Sequence, residues 1–142
     1  MRFRFGAELI GVTGLFLAAL PALAHHSFAA EYDANKPVIV KGVIAKVDWM
    51  NPHAYLYIVT KDLNGKAVSY GFETGSPNAL LRRGWKKTSV RAGDAVTIEG
   101  YLAKDGKLLD DGSIHANARA VTTADGRQIF AGTAADDGGP AK

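Results

Sequence analysis

Ser76-Pro77-Asn78-Ala79-Leu80-Leu81-Arg82-Arg83-Gly84 is the stretch on which the fold turns. Its order is that of a short helix: Ser at the N-cap, Pro at the first helical position, cations in the last turn and Gly just past the end. At 3.6 residues per turn it holds about two turns. On either side of it the hydrophobic period falls to two, so a single helix interrupts a chain of strands.

Working back from the helix, 67–74 reads as a strand in which Val68, Tyr70 and Phe72 share one face. Asp62-Leu63-Asn64-Gly65 supplies the hairpin turn before it. The run 54–61 alternates Leu56 and Ile58 against Tyr55, Tyr57 and Val59, so only one of these sets can face a core. Residues 38–49 are rich in β-branched side chains and end at Asn51-Pro52, with Gly42 placed for a bulge or tight bend. Beyond the helix, 95–102 and 114–123 are further strands, and Asp125-Gly126 turns into a last short run at 127–130. Five strands with one short helix between strands 3 and 4 is the element order of an OB-like five-stranded barrel. A small open β-sandwich is the alternative that would use the same strands.

The first residues predict export. Arg2 and Arg4, an apolar run over 9–20 and the small-residue site Ala22-Leu23-Ala24 form a signal peptide, so His25 becomes the first residue of the mature chain. We therefore expect a periplasmic or secreted protein with no permanent membrane anchor after processing. The division expected is 1–24 signal peptide, 25–36 N-terminal segment, 37–131 barrel and 132–142 flexible tail. Of the 142 residues, none is cysteine, which removes disulfides, thiolate zinc sites and cysteine nucleophiles. A formal charge of +3 drops to about +2 without the leader, and Asp105, Asp110 and Asp111 form an acidic patch, so no nucleic-acid partner is expected. The sequence contains no nucleophile elbow, no phosphate-cradling glycine loop and no H-E-x-x-H, and nothing in it asks for an enzymatic reaction.

Four histidines carry what chemistry the sequence offers. A free amine and Nδ1 on His25 can chelate Cu(II), and one further imidazole would complete a T-shaped set of three nitrogens. His53, held by Asn51-Pro52 in the loop after the first strand, is the preferred partner, and His26 is a secondary candidate. The plain reading stands beside this one: paired histidines that merely suit cleavage, and a turn histidine satisfied by backbone. His115, mid-strand, is read as structural. Glu73, just before the helix, is a candidate to orient a metal or ligand, or else a simple strand-end carboxylate. Tyr55 and Tyr57, if they face outward, form a ligand platform of the kind on which OB barrels stack bases or sugars.

Ala24-His25-His26-Ser27-Phe28, Trp49-x-Asn51-Pro52-His53, Glu73-x-Gly75-Ser76-Pro77-Asn78-x-Leu80-x-Arg82-x-Gly84 and Gly93-Asp94-x-Val96-x-x-x-Gly100 together resemble the DUF6152 family of exported bacterial proteins of unknown function. The resemblance covers nearly the whole mature chain. It implies a small periplasmic or secreted β-domain and supplies no activity. The expectation is thus an exported binding or accessory module, with Cu(II) at its processed N-terminus. The competing expectation is a metal-independent module that binds a periplasmic protein or small ligand on its aromatic face.

Overall fold

The computed structural model describes residues 28–132. The expected leader, His25, His26 and the tail from residue 133 lie outside the described residues. In chain order the elements are α1 (Phe28–Glu31), β1 (Tyr32–Asp48), β2 (Tyr55–Lys61), β3 (Ala67–Glu73), α2 (Pro77–Arg82), β4 (Ala95–Ala103), β5 (Ile114–Thr123) and β6 (Gln128–Phe130). The helix falls between the third and fourth strands as its residues require. Antiparallel pairing runs β3-β2-β1-β4-β5, and β5 then pairs in parallel with β3. That last pairing closes five strands into a barrel and rules out the open sandwich. The short β6 adds to the far half of β5, from Ala120 to Thr122. Among the described residues no helix is long and apolar enough to cross a membrane.

The interior is filled by one side of each strand. Val40, Ile44, Leu56, Ile58, Phe72 and Ile98 are buried in one cluster, so β2 turns its leucine and isoleucine inward and its tyrosines outward. Ala116 of β5 lies opposite Phe72 of β3, a small residue against a large one, which is how a narrow barrel accommodates an aromatic ring. The helix closes the same core. Ser76 Oγ accepts the Ala79 N–H at 3.2 Å, Gly84 takes φ +87°, and the Trp85 N–H donates to the Leu80 carbonyl at 3.0 Å. Leu80 and Trp85 are thereby carried into the cluster.

Two details differ from the expectation for β1. The bulge lies not at Gly42 but at Ala45, between the pairs Ile44↔Ile58 and Lys46↔Tyr57. It shifts the inward positions from Val40 and Ile44 to Val47 and Trp49, and so keeps the apolar side on the core across the extra residue. Gly42 stays in register with Val96 and serves a close approach instead, since a Cβ there would meet the Val59 carbonyl oxygen at 2.5 Å. The strand also starts at Tyr32, six residues before the β-branched run. Residues 33–36 leave the ladder between Tyr32↔Ala103 and Pro37↔Tyr101, an irregular point at which a proline without an N–H is tolerated.

Candidate functional site

Strand alternation points Phe72 into the barrel and therefore Glu73 out of it, yet Glu73 is only 3% exposed. An outward carboxylate becomes that buried only if other side chains are laid over it. Tyr55, its cross-strand partner, donates its hydroxyl to Oε2 at 2.7 Å. Tyr32 donates to the same oxygen at 2.8 Å. His53 Nδ1 lies 2.9 Å from Oε1, and His115 Nε2 lies 3.8 Å from Oε2 and 3.0 Å from the Tyr32 hydroxyl. Four elements, the loop before β2, β2 itself, β5 and the start of β1, thus converge on one carboxylate at the end of β3.

Local backbone structure explains the convergence. The Asn51-Pro52 peptide is cis, and after it the Ala54 N–H donates to the Gly75 carbonyl while the Thr74 N–H donates back to Ala54. These bonds extend the β2–β3 ladder and set His53 beside Glu73. On the other side, the Lys104 N–H donates to the Glu31 carbonyl at 2.8 Å, and Lys104 Nζ reaches the Ala29 carbonyl. Helix α1 is thereby tied to the end of β4. The Phe28 ring stacks on Tyr32 at 5.8 Å and meets Tyr101 edge-on at 5.3 Å, and His115 lies between the rings of Tyr32 and Tyr55, at 5.4 and 6.3 Å.

Burial alone would raise the Glu73 carboxyl, but the His115 and His53 imidazoles against it and the Tyr55 hydroxyl outweigh burial and hold the group well below the usual carboxylate range. The Tyr32 and Tyr55 hydroxyls are pushed far up, first by burial and then by the Glu73 charge, so both remain protonated donors. At 2.9 Å two lone pairs would repel, which assigns a proton to His53 Nδ1 and leaves Nε2 as the ring's electron-pair donor if the ring is neutral. The contact is bent off the hydrogen-bonding line, so Oε1 has no well-aligned donor among the described residues.

The sign of the acid response follows. A Glu73 carboxyl that ionises more readily when folded stabilises the fold fully above its unfolded value near 4.5, and that contribution is lost as pH falls from there toward its folded value. Urea midpoints measured downward from pH 6 should decline below about 4.5, and the part of the decline owed to this group should be absent in Glu73→Gln. The tyrosines act oppositely: their stabilisation is lost above pH 10.0, where the unfolded hydroxyls begin to ionise.

Of the residues singled out on sequence, His53, Glu73 and Tyr55 meet here, whereas His25 and His26 lie outside the described residues. Tyr57 stacks 6.0 Å from Tyr55 but faces a neighbouring groove of about 360 Å³ with Lys46, Leu108, Leu109, Asp110 and Asp111. Lys46 Nζ sits 4.2 Å over the Tyr57 ring and 2.8 Å from Asp48. Sequence reasoning did not include Tyr32 or Glu31, and it read His115 as structural. Ala116 and Ala118, at alternate positions, mark the inner face of β5 and so place the His115 imidazole outside, a signal present in the sequence.

A family model described as a family of unknown function (DUF6152) matches residues 14–111 of the chain. No curated protein and no solved structure matches it.

Proposed function

We propose that this chain, which belongs to the DUF6152 family, is an exported periplasmic or secreted binding module that holds Cu(II) between His25 and His53 on the outer wall of its barrel. The family supplies no reaction, so the reading rests on the site. The observation that carries it is the 2.9 Å contact of His53 Nδ1 with the buried Glu73 carboxylate. Metal-binding histidines are held in this manner, with one ring nitrogen on a carboxylate and the other presented to the ion. Toward this ion Glu73 is an orienting group, because His53 Nδ1 lies between its Oε1 and the metal-facing nitrogen of the ring.

Chain length supports the same reading. Phe28 packs on Tyr32, whose hydroxyl bonds Glu73, so the backbone arrives beside the carboxylate. His25 is three residues upstream, and three extended residues reach about 10 Å. If export leaves His25 first, its amine and Nδ1 are within range of His53 Nε2, and three nitrogens suit Cu(II) better than other common divalent ions. His26 would compete through its own imidazole.

The test compares the correctly processed protein with a form that carries one extra residue before His25. Acylating the amine removes one ligand, so Cu(II) affinity should fall by at least 100-fold, or about 2.7 kcal/mol, as read by competition titration. Equal affinity in the two forms would overturn the reading. The groove beside Tyr57 favours a second one, a metal-independent module for a small ligand or protein partner, with Tyr57 as the platform and Tyr55 committed to Glu73.

A further inference from the structure

We infer that Glu31, Glu73 and His115 form a second cation position, separate from the one built on His53, which takes a divalent ion such as Zn(II) through one imidazole nitrogen and carboxylate oxygens. Each residue offers one ligand atom, and the three atoms lie within 4.8 Å of one another. Ions of this class bind at about 2.0–2.2 Å, so a small contraction would bring all three into contact. One nitrogen with carboxylate oxygens suits zinc or manganese, whereas a set dominated by nitrogen suits copper.

The two positions lie on opposite sides of one carboxylate. His53 approaches Oε1, while His115 lies on the Oε2 side with the Tyr32 hydroxyl. Glu31 enters from α1, its backbone tied to Lys104, so its carboxylate is carried on an anchored turn. None of this requires a free amine at residue 25.

A second observation points to a ligand. Glu73, one of the three, is 3% exposed. Asn117, its register partner across β3 and β5, is 1% exposed, and its Nδ2 has no partner among the described residues, although its Oδ1 accepts the Tyr101 N–H at 3.2 Å. A buried donor left over beside a buried carboxylate is costly, and native proteins satisfy such a group with an acceptor, often a water. An ion at this position that carries a bound water would satisfy it.

Zn(II) is titrated calorimetrically into the processed protein, the form extended before His25, and the variants Glu31→Gln and His115→Gln, and Co(II) absorption reports the ligand set. The expected result is one Zn(II) equivalent in both N-terminal forms, weakened at least tenfold in each variant, with the Co(II) bands altered. Loss of Zn(II) uptake on extension would overturn the inference by assigning all metal binding to the N-terminus. Unchanged uptake in Glu31→Gln would overturn it equally. Because Glu31 is only partly buried, that variant keeps the test sound should His115→Gln not fold. The copper reading fails in a different titration, Cu(II) against the extended form, so either idea can fall alone.

Discussion

Glu73→Ala should lower the stability of the barrel by about 3–5 kcal/mol, the cost of removing one partner from a buried charged cluster. The carboxylate accepts two tyrosine hydroxyls and lies against two imidazoles, and none of these four groups has a replacement acceptor in the truncated side chain. Each buried donor left without an acceptor costs on the order of 1–3 kcal/mol unless water enters. In a domain of this size such a loss lowers the melting temperature by more than ~10 °C. Glu73→Gln separates the two contributions, because the amide keeps the volume and one acceptor but not the charge. It should lose about half as much, and a thermal melt that places both variants level with the parent would show that the cluster is not structural.

An equally large loss is expected from Gly100→Ala, for a reason remote from charge. A Cβ at this position would stand 1.7 Å from the Asn117 carbonyl oxygen, far inside any non-bonded contact. The obstacle is backbone, so no rotamer change relieves it. Gly100 sits where β4 and β5 slip register, Glu99 opposite Ala120 and Gly100 opposite Ala118, and the bulged strand comes in close. Forcing the strands apart should cost about 3 kcal/mol or more and should displace Asn117 from beside Glu73. Gly65→Ala is the matched control: φ is +80° with nothing within 4 Å of the added atom, so only the left-handed backbone penalty of roughly 1–2 kcal/mol applies. Urea unfolding of the two variants should differ widely, and equal midpoints would refute the steric account.

The barrel was legible in the sequence because its determinants are local. Ser76, Pro77 and Gly84 bracket the helix, and the strict alternation in 54–61 forces one face inward whichever set is chosen. Alternation could not say which. That choice needed closure through β3 and β5, a parallel pairing between Tyr70 and Ile114 that no neighbouring residue encodes. The site was half legible for the same reason. His53 and Glu73 stand next to readable punctuation, Asn51-Pro52 and Ser76-Pro77. Tyr32 meets Glu73 across 41 residues and His115 across 83, contacts that exist only once the sheet has closed. Tyr32 was also hidden by Pro37, which makes the preceding residues read as a lead-in rather than the start of a strand.

The cup of side chains around Glu73 stands on the outside of the wall, while Leu56, Ile58 and Phe72 fill the inside from the same strands. Odd and even positions of one strand therefore answer to different demands, Tyr55 and Glu73 to the outer polar cluster and Leu56 and Phe72 to the apolar interior. An engineer who rewrites the exterior letters of β2, β3 and β5 must replace the hydrogen bonds they make but need not reopen the hydrophobic interior. Repacking that interior would leave the outer cluster in place as long as strand spacing held.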